Sequence, residues 1–307
     1  MNDLVTLSEK PKTAKLYLIA GWRQWADAGA ISSGLPEYLI RRTGARKIGH
    51  IQSDGFYLFQ IPGTHHLLRP VIKLSNGYRQ SYERKRNEFF YTGDEEHGLV
   101  IFLGDEPHMN VEAYSAAFFT AVKSLGVRRV AAVGGVYGSM PYDKERHISC
   151  VYSHPHLQTE LEEYALRFSD YEGGSTIGTF LADQAELEDV EFIDLYAFVP
   201  AYDFSQSPMS PQGISIEQDY KAWYDVLRRL SHMFGLRLDL SDLQANSSEL
   251  IASMDAKMEE LEQQLSQFNI RDYMDRLDSE FTELNFMPLT DVWAEGLRGL
   301  FGEADEE

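Results

Sequence analysis

One short segment combines acidic and basic side chains at a point where a predicted strand gives way to a predicted helix. Residues 104–108 read GDEPH, so that Asp105 and Glu106 stand close to His108. Two carboxylates beside an imidazole could act as general acid and general base. The same residues could instead cap the helix and solvate the loop, because a catalytic site also needs a second loop that converges on it. The sequence leaves both interpretations open.

Two pairs of glycines offer a different chemistry, the binding of an anion by backbone amides. Gly134 and Gly135 begin GGVYG, and Gly173 and Gly174 begin GGSTIG. Neither segment has the G-x-G-x-x-G order of a dinucleotide site, and neither has the lysine of a P-loop. We therefore expect glycine loops at a sheet edge, where amide groups could hold a small anion.

The sequence predicts neither a metal site nor a cofactor. The closely spaced histidines, at 65–66 and at 154 and 156, have no obvious third ligand of the kind that zinc requires. Cys150 lies in an apolar run and is predicted to be a thiol of the core. The G-x-S-x-G pattern of a nucleophile elbow is missing from the sequence.

The elements that would position these residues are apolar strands that end in glycine. Residues 15–29, KLYLIAGWRQWADAG, predict a buried strand, a glycine turn and then a helix that Asp27 caps. Similar strands are predicted over 99–103 and 129–133, which indicates an α/β fold with a mainly parallel sheet. Ligands of such sheets bind beyond the carboxyl ends of the strands. The candidate ligand-binding residues are therefore Trp22, Asp27, Asp105, His108, Gly134, Gly135, Gly173 and Gly174.

The remaining elements follow from periodicity and from cap residues. We expect further strands over 47–53, 55–61, 140–153 (as a pair) and 191–200. We expect helices over 111–125, with Asn110 as N-cap and Gly126 as terminator, and over 154–168, 179–187 and 216–234.

Residues 65–93 are predicted to form a β-hairpin inserted into the core. Asn76 and Gly77 stand between two strand-like runs, which is a strong hairpin signal. The region also carries a cluster of basic residues. An amphipathic ribbon of this kind cannot bury its apolar face alone. It either packs on a neighbouring subunit or lies as a solvated hairpin over the core.

Composition limits the possible partners. The 307 residues carry a formal net charge of −20, and much of the acidic excess lies beyond residue 240. This charge argues against nucleic-acid binding, which needs many lysines and arginines. We expect no membrane span, because no apolar run approaches about 18 residues. A single cysteine and a polar N-terminus predict a cytoplasmic protein.

The sequence predicts two parts, an α/β core over 1–240 and an acidic helical extension over 241–307. Residues 244–285 contain neither glycine nor proline and carry an apolar stripe at helical spacing, with a break near Asn269. The apolar side of these helices needs a partner, either the core or another chain.

Several segments, in order, resemble the PAC2 family, the relatives of proteasome assembly chaperone 2. They include LIAGWRQWADAG, LGDEPHMNVEAYSAAF, VRRVAAVGGVYGSMPYDKERHIS and YEGGSTIGTFLADQAEL. The resemblance covers about residues 15–235. It implies a three-layer α/β/α core similar to that of purine nucleoside phosphorylases, within the phosphorylase/hydrolase-like folds. It also implies a homo-oligomer, with a trimer as the expected number, an inserted hairpin at the interface and a C-terminal helical lid over a ligand cleft.

Two hypotheses about function follow, and the sequence does not choose between them. The first is a homo-oligomeric interaction or assembly protein, similar to a chaperone, with a protein partner. The alternative is a protein or enzyme that binds a small molecule, a nucleoside or a phosphorylated metabolite, at the strand ends. In that case Asp105 or His108 would handle protons and the glycine amides would hold the anion.

Overall fold

The computed structural model describes residues 4–23, 25–60, 69–203, 213–264 and 270–287. The strands in these ranges are β1 (Val5–Leu7), β2 (Lys15–Arg23), β3 (Arg46–Ile51), β4 (Ile72–Ser75), β5 (Tyr78–Tyr82), β6 (Asn87–Gly93), β7 (His97–Asp105), β8 (Arg129–Gly138), β9 (Ile148–Tyr152), β10 (Arg167–Phe168), β11 (Glu191–Tyr202) and β12 (Ile214–Ser215). The α-helices are α1 (Gly34–Thr43), α2 (Val111–Leu125), α3 (Gln158–Leu161), α4 (Ile177–Leu187), α5 (Tyr220–Phe234), α6 (Ser241–Gln264) and α7 (Ile270–Glu280).

One mixed sheet forms the centre of the molecule, in the order β1-β3-β6-β7-β2-β8-β11-β9-β10. The four central strands, β7, β2, β8 and β11, are parallel. Strands β1, β3 and β6 run antiparallel to their neighbours, and β9 is antiparallel to β11 but parallel to β10. The expected parallel arrangement therefore holds only for the centre, because the short connection between β6 and β7 can join only antiparallel strands.

Helices cover both faces of the sheet, which confirms the predicted α/β class and its three layers. Successive side chains of a strand point to opposite faces. In β2, Leu18 and Ala20 pack towards α2 and α4, whereas Ile19 packs towards α1 and α5. The buried apolar residues therefore form two clusters, one on each face of the sheet.

Several element predictions were wrong in extent, and some were also wrong in type. Strand β8 does not stop at Val133 but continues through the GGVYG segment. Residues 55–60 are irregular instead of forming a strand, and Ile61 lies outside the described residues. The region 140–153 contributes β9 alone, and the helix expected over 154–168 is a single turn of α3 flanked by two 3₁₀ turns. Asn110 does not cap α2 through its side chain; its Nδ2 donates to the carbonyl of Gly55.

The inserted hairpin is shorter than predicted. Strands β4 and β5 pair around Asn76 and Gly77, both with positive φ, as the sequence indicated. Residues 87–93, the far end of the predicted insertion, instead form β6 within the main sheet. Residues 65–68, at its near end, lie outside the described part of the chain.

The C-terminal helices pack on the core. Met254, Met258 and Leu261 of α6 and Ile270 of α7 are buried in the same apolar cluster as α5. Among the described residues, the extension contributes nothing to the lining of the strand-end cavities reported below. No helix in the described ranges is long and apolar enough to cross a bilayer.

A buried ion-pair network joins the 142–147 loop to α5. Arg146 is fully buried; its Nε lies 2.8 Å from Oδ2 of Asp219, and its backbone amide donates to Asp225 at 2.8 Å. Arg229 of α5 pairs in turn with Glu145 at 2.7 Å. A buried guanidinium that lost its carboxylate would leave an uncompensated charge, so this loop is held firmly against the helix.

Candidate functional site

The carboxyl ends of β2, β8 and β11 meet a loop over residues 169–176 and enclose two neighbouring cavities. The larger has a volume of about 610 Å³. The smaller is a recess of about 20 Å³. Trp25, Ala26, Thr176 and Tyr196 line both, so the recess adjoins the larger space. This is the edge of the sheet at which open α/β folds bind ligands.

Trp22 lies at the wall of the recess. It is almost completely buried, and its Nε1 donates to the hydroxyl of Tyr114 at 2.9 Å. Its backbone amide donates to Oγ of Ser32 at 2.8 Å. Both N–H groups of Trp22 are therefore already bonded, and the indole ring can offer a ligand only its apolar surface.

Both glycine pairs line the cavities. Gly134 and Gly135 belong to β8 and not to a loop, because the backbone of residues 26–28 packs directly on them. A Cβ atom at Gly135 would lie 2.1 Å from the carbonyl oxygen of Ala28, which no side chain allows. Gly173 and Gly174 lie in the loop opposite and line the larger cavity. A Cβ atom at Gly174 would meet nothing within 4 Å.

Asp27 lies beside the cavities but not in their lining. Its carboxylate accepts hydrogen bonds from the amide of Ser33 at 2.9 Å and from the Ser33 hydroxyl at 2.7 Å. Burial raises the pKa of Asp27, and these two bonds oppose that rise. The residue therefore holds the start of α1, which begins at Gly34 and not directly after Asp27 as the sequence indicated.

Asp105 and His108 lie outside both cavities. The Asp105 carboxylate accepts from the amide of Arg86 at 2.7 Å and from Nζ of Lys85 at 3.2 Å. Nδ1 of His108 accepts from the amide of Leu58 at 3.1 Å, and burial lowers the pKa of this histidine. These contacts tie together the segments on either side of the hairpin, and they do not bring Asp105 or His108 to the glycines.

The chemistry of the recess comes instead from Asp194 and Glu106. Asp194 is 2% exposed, and its Oδ2 accepts a hydrogen bond from the Tyr196 hydroxyl, which in turn bonds the hydroxyl of Thr176. Burial raises the pKa of Asp194 to about 7. Burial also raises the pKa of Glu106, although the amides of Ile177 and Trp25 donate to it and oppose the rise.

The first turn of α4 leaves space for the carboxylate of Asp194. Thr176 forms a capping box with Thr179 at its start. A Cβ atom at Gly178 would lie 2.1 Å from Oδ2 of Asp194, so only glycine lets the carboxylate approach the first turn. The recess therefore holds two acids that can accept hydrogen bonds, and Asp194 can also exchange a proton near neutral pH.

Sequence reasoning did not single out Asp194 or Tyr196. One signal was available: residues 192–198 read FIDLYAF, and a lone acid within a buried apolar strand is rare without a partner or a function. Glu106 was considered only together with His108. Which strand end faces which loop is a property of the folded chain, so the pairing of Glu106 with Asp194 could not be inferred.

The fold and this cavity define a mixed α/β protein with a candidate site at the strand ends. The chain belongs to the PAC2 family, whose model matches residues 21–261. No functionally curated protein matches the chain.

Solved structures share the fold. A PAC2 family protein from Streptomyces avermitilis is 23% identical, with 84% of this chain and 99% of that chain covered and a TM-score of 0.67. A proteasome-assembly chaperone homologue from Mycobacterium tuberculosis is 18% identical, with 78% of this chain and 94% of that chain covered and a TM-score of 0.67. An archaeal proteasome activator from Pyrococcus furiosus is 20% identical, with 83% of this chain and 98% of that chain covered and a TM-score of 0.58.

Proposed function

We propose that this protein is a homo-oligomeric interaction protein that works, as an assembly chaperone does, by binding other protein chains. The similarity to a proteasome-assembly chaperone homologue and to an archaeal proteasome activator supports a protein partner. The main observation behind the proposal is the exposure of the inserted hairpin.

The hairpin is a ribbon without a covering surface in the described chain. Every residue of β4 and β5 is exposed. Ile72 and Leu74 lie on one face, and Tyr82 stands opposite Ile72 in the ladder. A two-stranded hairpin is marginally stable by itself in water. Exposed large apolar side chains on such a ribbon are typical of an interface with another chain.

Charge favours a second copy of this chain as the occupant. The segment 69–86 carries an excess of basic side chains, whereas the whole chain has a net charge of −20. A basic, apolar ribbon on one protomer is complementary to the acidic surface of the next. A trimer is the expected number of subunits.

Light scattering on purified full-length protein tests this proposal. We expect the wild type to be an oligomer, and we expect Leu74→Asp and Tyr78→Asp each to weaken association by about 30-fold or more, the effect of a hot-spot residue of about 2 kcal/mol. Leu187→Asp is the matched control, because Leu187 is at least as exposed as Leu74 and Tyr78 but lies on α4. A monomeric wild type would refute the proposal, and so would hairpin variants that stay fully assembled.

Two further parts of the proposal concern the location of the protein in the cell and its division into a core and an extension. We place the protein in the cytoplasm, which a single buried thiol, Cys150, supports. We also propose that residues 241–307 are an extension on a core of residues 1–240. The acidic character of that segment supports a role on the surface, and its packing on α5 supports its attachment to the core.

A further inference from the structure

The recess between Asp194 and Glu106 has the size of one small polar group. Its volume of about 20 Å³ exceeds the roughly 10–15 Å³ that a single water requires. An amino or ammonium group has a similar size. The lining combines apolar side chains, among them Trp22 and Ala132, with the hydrogen-bonding side chains of Asp194, Glu106 and Tyr196.

Those groups are mainly acceptors. Among the described residues, Asp194 receives one hydrogen bond, from Tyr196, although a carboxylate offers about four acceptor positions. Neither Asp194 nor Glu106 forms an ion pair within the described ranges, and no lysine, arginine or histidine is among the described residues of the recess. A buried carboxylate without a cation is unfavourable, so a ligand that donates hydrogen bonds or carries positive charge would be stabilised here.

The larger cavity suits the body of such a ligand. Its volume of about 610 Å³ lies in the range of small-molecule sites. Trp25 is 75% exposed, Tyr171 72% and Tyr137 54%, so three aromatic faces at this cavity are open to solvent. The described lining also has serine and threonine hydroxyls but no charged side chain. Aromatic faces attract organic cations, and an anionic ligand would find no counter-charge.

We propose that the strand-end cavity binds a small organic amine, with its aromatic or apolar body between Trp25, Tyr137 and Tyr171 and its amino group in the recess against Asp194 and Glu106. This chemistry disfavours a phosphorylated metabolite. The proposal is independent of the hairpin, because no residue of β4 or β5 is among the described residues that line either cavity.

Calorimetric titration of the full-length protein tests this site. The probes are tryptamine and 2-phenylethylamine, with 2-phenylethanol, phenylacetate and adenosine monophosphate for comparison. We expect at least one amine to bind at least tenfold more tightly than the alcohol, and we expect the two anions not to bind. Equal binding of the alcohol would overturn the proposal, as would binding of an anion or failure of both amines.

Variants locate the binding. Asp194→Asn should weaken amine binding at least tenfold, because it removes the buried charge and keeps the shape. Gly174→Leu should also weaken it at least tenfold, because it adds bulk to the cavity lining at a position with open space. Glu249→Gln, on the exposed side of α6, removes the same charge elsewhere and should leave affinity unchanged. If both cavity variants fold and bind amines as tightly as the wild type, the site is refuted.

Discussion

Replacing Asp194 by asparagine is expected to change how the stability of the protein depends on pH. In the folded protein, burial raises the pKa of Asp194 from 3.8 to about 7. Asparagine has the same shape and keeps a carbonyl oxygen that can accept the hydrogen bond from Tyr196, but it cannot ionise. The variant therefore removes one titration and little else.

The sign follows from proton linkage. Well below the unfolded pKa, folded and unfolded chains both hold the proton and Asp194 carries no penalty. As pH rises, the unfolded chain ionises first, so stability is lost until the folded carboxyl also ionises, near pH 7. The full penalty is about 4 kcal/mol, since a tenfold change in an ionisation constant corresponds to about 1.4 kcal/mol. About 2 to 3 kcal/mol of it develops between about pH 5 and pH 8.

Urea denaturation of both proteins at these two pH values measures the effect. The free energy of unfolding of Asp194→Asn, relative to wild type, should increase by about 2 to 3 kcal/mol from pH 5 to pH 8. Glu106 is present in both proteins, so the comparison reports the change at residue 194. Glu249→Gln is the control and should show no such increase. If the free energies of unfolding of Asp194→Asn and wild type change with pH in the same way, Asp194 is not a buried acid with a raised pKa.

Three other perturbations test the packing around the site and the core. Gly135→Ala should lower the free energy of unfolding by about 1–3 kcal/mol or more, because the added methyl meets a backbone carbonyl, whereas Gly174→Ala should have almost no effect in the same urea titration. Arg146→Met should destabilise by about 3–5 kcal/mol in thermal denaturation, since it leaves Asp219 buried without its partner. Cys150 should not react with a thiol reagent at pH 8 until the chain is unfolded, because burial raises its pKa.

Each of these expectations has a result that contradicts it. Equal stability of Gly135→Ala and Gly174→Ala would mean that the backbone of residues 26–28 does not press on β8. Wild-type stability of Arg146→Met would place that guanidinium in solvent. Rapid modification of Cys150 in the native protein would mean that β9 is open at the sheet edge.

The sequence was sufficient for features that depend on local pattern. Apolar runs located β2, β7, β8 and β11, the Asn-Gly pair located the hairpin turn, and Gly126 marked the end of α2. In each case one short stretch of chain contains both the signal and its physical cause. The helices after residue 240 were predicted for the same reason, from an apolar stripe and the absence of glycine and proline.

Features that depend on distant segments coming together in the fold could not be predicted from the sequence. Residues 143–146 are four charged residues in succession, a pattern typical of an exposed turn, yet Arg146 is fully buried because Asp219, the N-cap of α5, and Asp225 of that helix bind it. The two glycines of β8 read as a loop because the segment that presses on them is distant in sequence. Asp105 and His108 were expected in the cleft because they follow a strand end, but residues around the hairpin bind them instead.

The order of strands in the sheet has one more consequence. Strands β7 and β2 lie between β6, next to the basic hairpin, and β8, which lines the larger cavity. Substitutions that adjust one surface therefore need not disturb the other. Descendants of this chain could exchange their subunit contacts while keeping an inherited ligand, or exchange the ligand while keeping the same quaternary arrangement.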